Sequence, residues 1–205
     1  MRLGLDFDNT IVRYDALFHR VAREGGWIPA DLPVSKLSVR DHLRRNGQES
    51  VWVEMQGYVY GPRMGEAEAF PGMVEFLQWA RANGLAVCIV SHKTRHPFSG
   101  PRYDLHAAAR AWIDKRLRDD GGPLLPESAV YFELTKEQKL ARIAAASCSV
   151  FLDDLPEILD APSFPKDTRP ILFDPAGHHR NSSVVRLGHW AQLRPLIEEQ
   201  WQPTW

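Results

Sequence analysis

Two aspartates separated by one residue, Asp6 and Asp8, close the apolar run Leu3-Gly4-Leu5. Strand side chains alternate faces, so residues two apart project to one side as a strand runs out. Two carboxylates held that close repel each other, and a bound divalent cation relieves the repulsion. Mg²⁺ prefers oxygen ligands. A carboxylate in such a site can also attack a phosphoryl group and form an aspartyl-phosphate. A second acidic pair, Asp153-Asp154, ends another apolar run, Ser149-Val150-Phe151-Leu152. Acids so far apart in sequence meet only if the strands that carry them are neighbours in a parallel sheet. The expected chemistry is metal-assisted phosphoryl transfer at converging carboxylates.

Two further stretches could serve that chemistry. Leu85-Ala86-Val87-Cys88-Ile89-Val90 reads as a parallel strand buried on both faces, and it closes in Ser91. His92-Lys93-Thr94-Arg95-His96 follows directly. Ligands of open α/β sheets bind outside the carboxyl ends of the strands. That makes Lys93 or Arg95 a candidate for a second anionic part of a substrate, with His92 beside them. Further on, Thr135 is a plausible cap for a helix through Leu140, Ile143 and Ala144. Lys136 stands in its first turn and Lys139 one turn further in.

The elements that must position these residues follow a simple order. After the first acidic pair come three short helical patterns, over 14–25, from Ser38 through Arg44, and over 49–60. Gly25-Gly26, Asn46-Gly47 and Gly61-Pro62 stop them. Ser38 with Asp41 resembles a capping box. Helices and strands then alternate: a helix with Val74 and Leu77, the strand ending in Ser91, and a helix with Leu105, Ala109 and Trp112. Short strands follow at 129–132, 149–152, 170–173 and 184–187, and a closing helix carries Trp190, Leu193 and Ile197. That order predicts an α/β fold, a doubly wound parallel sheet with one small helical insertion. Residues 1–13 and 68–205 are expected to form the core, and residues 14–67 the insertion. Gly177-His178-His179-Arg180-Asn181 reads as a polar loop, since no spaced third ligand accompanies the two histidines.

Asp6-Phe7-Asp8-Asn9-Thr10 resembles the first motif, D-x-D-x-[TV] after an apolar strand, of the haloacid dehalogenase-like (HAD) phosphohydrolases. The strand closing in Ser91, the helix-opening lysine and the Asp153-Asp154 pair resemble the second, third and fourth. The resemblance implies a Rossmann-like HAD core and a Mg²⁺-dependent phosphatase. In it Asp6 is the nucleophile, and Asp8 is the general acid and base whose carbonyl also touches the metal. Ser91 and Lys136 hold phosphoryl oxygens, with Lys139 the alternative lysine. It also implies that Asp154 ligates the metal directly, and that Asp153 acts through water or holds the lysine. Asn9 and Thr10 are assigned to the substrate side with His92, Lys93 and Arg95. The insertion takes the position of a cap, with Trp52, Tyr58, Tyr60, Arg40, Arg44 and Arg63 as candidates for its underside. A dehalogenase would need neither the second acid nor Mg²⁺. The alternatives carried are a catalytically silent HAD-like binding or regulatory module and a phosphomutase.

Composition bounds the partners. The 205 residues carry a formal net charge of −1, which gives no global field for a nucleic-acid polymer. No apolar stretch reaches membrane length and no leader pattern opens the chain. Cys88 and Cys148 lie in or beside apolar runs and read as buried free thiols in a reducing compartment. The expectation is a cytoplasmic enzyme for a small phosphorylated metabolite, sugar phosphate or nucleotide, of open oligomeric state.

Overall fold

Apolar runs bounded by glycine and acidic residues become the strands of the sheet. In the computed structural model, which describes residues 1–199, β1 is Arg2–Leu5, β2 Ala86–His92, β3 Val130–Glu133, β4 Val150–Asp153, β5 Arg169–Phe173 and β6 Val185–Leu187. They form one six-stranded sheet in the order β6-β5-β4-β1-β2-β3, and each pairing is parallel. The sheet is therefore the expected α/β parallel one. β1 lies between β4 and β2, with Leu5 opposite both Leu152 and Ile89. This register brings the ends that carry Asp6, Ser91 and Asp153 to one edge of the sheet.

The helices are α1 (Asp15–Glu24), α2 (Lys36–Arg45), α3 (Glu49–Tyr60), α4 (Met73–Ala82), α5 (Leu105–Arg116), α6 (Lys136–Ala145), α7 (Pro156–Leu159) and α8 (Leu193–Glu198). The cap of α2 is Ser35, whose hydroxyl accepts from the Ser38 N–H at 3.3 Å, so this helix starts a turn earlier than Ser38 suggests. No described helix is long and apolar enough to cross a membrane.

The chain divides into two units. One holds the sheet and comprises Met1–Val12, Ala69–His92 and Leu117–Trp205; the other is helical and comprises Arg13–Glu68 and Lys93–Arg116. α5 thus belongs with α1, α2 and α3, whereas the sequence grouped it with the sheet. Within the helical unit Trp112 of α5 donates its indole N–H to the Ala67 carbonyl at 2.9 Å, and Gly57 of α3 lies against Pro97. Its core is aromatic: Tyr14, Phe18 and Tyr60 meet edge to face and Trp52 lies tilted on Phe18, with centroids 5.0–6.3 Å apart.

In the sheet unit, Cys88 and Val90 of β2, Phe151 of β4 and Leu172 of β5 pack on Leu140 and Ile143 of α6. Both cysteines are buried and free, with their sulfurs 3.7 Å apart. Gly4 makes this layer possible. A Cβ there would stand 2.5 Å from Phe151 Cδ2 and 2.8 Å from Cys148 Sγ. Overpacking of this kind costs about 1–3 kcal/mol. Gly4→Ala is therefore expected to lower stability by about that much in urea denaturation.

Candidate active site

Asp6 follows β1 directly, and its N–H donates to the Leu152 carbonyl at 2.9 Å. The chain then turns sharply. Asn9 adopts the left-handed conformation (φ +59°), and the N–H groups of Ile11 and Val12 both donate to the Phe7 carbonyl at 3.0 Å. Asparagine tolerates that backbone better than most residues. Asp6 ends up buried and Asp8 half-buried. β4 ends in Asp153, which is fully buried, and Asp154 next to it is half-buried.

Asp6, Asp153 and Asp154 each offer a carboxylate oxygen, and the three oxygens lie within 4.8 Å of one another. Sequence-distant acids therefore do converge. The Asp8 carboxylate is not one of the three; the metal contact expected of Asp8 is through its backbone carbonyl. Within the cluster Asp6 and Asp154 offer hard carboxylate oxygens of the kind Mg²⁺ takes, so these two residues fit the expected cation.

A lysine sits among the acids, and it is Lys139 rather than Lys136. The Lys139 ammonium donates to Asp6 Oδ1 at 2.5 Å and to Asp153 Oδ2 at 2.6 Å, and lies 5.5 Å from the centre of the Phe151 ring. Lys136 is exposed and pairs with Glu157. Helical side chains lean toward the helix N-terminus. A lysine stem spans about one 5.4 Å turn, so a residue one turn in brings its ammonium level with the helix start. Thr135 caps α6, accepting from the Gln138 N–H at 3.2 Å, and so fixes where that start lies.

The charges follow from this sharing. Burial alone would lower the Lys139 ammonium, but two carboxylates outweigh it and hold the group above its ordinary range. Asp6 has only a share of one cation. Burial, outweighing Lys139 and aided by Asp153 and Asp8, pushes its carboxyl up to about 7. The other Asp153 oxygen accepts from the Leu155 N–H at 3.0 Å. Both Asp153 oxygens are thus engaged, one of them in holding the lysine.

The remaining expected residues fall in two places. Ser91 is buried near the carboxyl end of β2. Thr10 is also buried, and its hydroxyl has no hydrogen-bond partner among the described residues. Burial, and then the positive charges of Lys139 and Lys136, lower the His92 imidazole against a hydrogen bond with the Leu134 backbone. Lys93 and Arg95 lie in the helical unit. Lys93 is buried, its ammonium 5.0 Å from the centre of the Tyr60 ring. Arg95 is exposed and paired with Asp104 at 3.2 Å. Among the other candidates there, Trp52 is buried and Tyr58 exposed; Arg40, Arg44 and Arg63 each pair with a carboxylate of the same unit. Lys139 was readable as a second lysine on the helix, but its reach was not.

No family model and no curated protein matches the chain. Solved structures do. A predicted phosphatase from Clostridium acetobutylicum superposes with a TM-score of 0.62 at 12% identity, covering 97% of this chain and 98% of its own. A HAD-superfamily hydrolase from Ehrlichia chaffeensis gives 0.55 at 15%, covering 97% and 96%. A HAD family hydrolase from Deinococcus radiodurans, solved with bound phosphate and sodium, gives 0.54 at 15%, covering 97% and 95%. At these identities the likeness speaks for the fold, and on that ground this chain has the haloacid dehalogenase-like fold.

Proposed function

We propose that the chain is a Mg²⁺-dependent hydrolase of small phosphomonoesters that works through an aspartyl-phosphate on Asp6. One observation carries the reading: Lys139 is shared between Asp6 and Asp153, with Asp154 in the same carboxylate cluster. A buried cation beside a buried acid suits a reaction in which negative charge arrives and must be neutralised.

In the first step an Asp6 oxygen attacks phosphorus in line. The bond to the leaving oxygen breaks, and Asp8 gives that oxygen its proton. In the second, Asp8 takes a proton from water, the water oxygen attacks phosphorus, and Asp6 is released as a carboxylate. Lys139 neutralises the nucleophile and the phosphoryl oxygens throughout, and Asp153 keeps the ammonium in place. The Ser91 hydroxyl holds a phosphoryl oxygen. Asp6, Asp154 and the Asp8 carbonyl would hold the cation, which when bound neutralises charge on the phosphoryl group. His92 and Lys93, which follow Ser91 in the chain, are assigned to the part of the substrate that does not react. Arg95, already paired, is a weaker candidate. By the resemblance, the helical unit takes the role of a cap.

Turnover of phenyl phosphate tests this. Hydrolysis should require Mg²⁺, stop on chelation and return when the cation is restored. A protein that binds Mg²⁺ but turns over no phosphomonoester would be the silent module instead.

A further inference from the structure

The loop after β5 leaves the same edge of the sheet as the acids, and it is built rather than loose. Asp174, the residue that follows β5, is 5% exposed. Its carboxylate accepts from the N–H groups of His178 at 2.8 Å and His179 at 2.9 Å, and from the Arg186 guanidinium at 3.1 Å. Burial would raise Asp174, but these donors outweigh it and keep the group charged. Gly177 takes the left-handed turn (φ +71°) that the loop needs, and the Ser182 N–H donates to the His179 carbonyl at 3.1 Å.

The anchored loop lines one side of a cavity of about 500 Å³, and Pro156 and Asp160, at the two ends of α7, contribute to the other. That volume suits part of a small metabolite. Pro156 is two residues beyond Asp154, so the cavity neighbours the carboxylate cluster within the same unit. The loop's side chains are chemically one-sided. The N–H groups of His178 and His179 are spent on Asp174, while the exposed imidazoles of these two residues and the Asn181 amide bond to no described residue. Arg180 makes one long contact, from Nε to the Gly177 carbonyl at 3.4 Å. A guanidinium with free N–H groups, flanked by imidazole and amide, matches a carboxylate or phosphate. A ligand here would meet the Asp160 carboxylate on the α7 side, which repels an anion and can accept from hydroxyl groups.

We propose that this cavity binds a second anionic group, phosphate or carboxylate, on the leaving part of the substrate, with Arg180 and His178 as its main ligands. The inference rests on the phosphohydrolase reading and narrows it to phosphomonoesters with a second negative charge.

Glucose 1,6-bisphosphate and 6-phosphogluconate, each compared with glucose 6-phosphate, test it in wild type and in the Arg180→Gln/His178→Gln double variant. Losing charge-assisted hydrogen bonds should lower kcat/KM for the doubly anionic esters, relative to glucose 6-phosphate, about tenfold or more, mainly through KM. Loss with one probe alone supports the site and says which anion it takes. A ratio unchanged within about twofold for both probes overturns it. A second arm does not depend on turnover: calorimetric binding of the same probes to Asp6→Asn, with and without the loop substitutions. If wild type hydrolyses nothing, the catalytic reading falls. The anion site still stands if the loop substitutions weaken binding about tenfold, and falls if they do not.

Discussion

Asp6→Asn should lower Mg²⁺-dependent turnover of phenyl phosphate by about 10⁴-fold or more, about 5.5 kcal/mol of barrier. The neutral amide is the same size and keeps the turn at Asn9, but it has no oxygen nucleophilic enough to displace an alkoxide. A structural role for Asp6 would predict a loss of folding instead, and the charges argue against that. In the metal-free protein, burial pushes the Asp6 carboxyl from an ordinary 3.8 up to about 7. A raised folded value means the folded chain holds the proton more tightly. That contribution is full below 3.8 and is lost as pH rises toward 7. Asparagine escapes this loss. Relative to wild type, the metal-free Asp6→Asn protein should therefore gain stability across that pH window, as read by urea denaturation at several pH values. An inactive variant that is also less stable at neutral pH would point to structure, not chemistry. Unchanged turnover would remove Asp6 as the nucleophile.

Much of this arrangement was legible in the chain. Cys88 to Ser91 and Val150 to Asp153 are buried throughout, and such strands leave unbroken apolar runs that local pattern can find. Acids at the ends of two such runs have few ways to be satisfied except together, which is why Asp6 and the Asp153-Asp154 pair could be matched. What stayed hidden depended on reach and on tertiary contact. Lys136 and Lys139 are three residues apart on α6, near one face by spacing, but only Lys139 is buried in the structure. The Lys93–Arg116 segment falls with the helices through contacts such as Trp112 to Ala67, which no sequence period records. The loop 177–182 has an ordinary polar composition. Asp174, its anchor, reads only as the end of a strand until its three donors are seen.

The lysine assignment makes the other large prediction. Lys139→Met removes the only cation bonded to Asp6 and Asp153 among the described contacts, and leaves buried carboxylates facing one another. Breaking a buried pair from one side costs about 3–5 kcal/mol. In chelator the variant should therefore unfold at clearly lower urea than wild type. Adding Mg²⁺ should narrow the gap, because a cation bound only to the folded acids restores positive charge and stabilises by mass action. Turnover should still fall by about 10³-fold even when Mg²⁺ restores the fold, since a developing charge loses its preorganised donor. Lys136→Ala is the matched control. Its partner Glu157 is exposed, and surface pairs contribute at most about 1 kcal/mol. Stability and turnover of that variant should stay close to wild type. The opposite pattern, with Lys136→Ala inactive and Lys139→Met fully active, would return the phosphate-holding role to the first turn of α6. Recovery of stability without activity in Lys139→Met is the result that separates charge compensation in the ground state from stabilisation of the transition state.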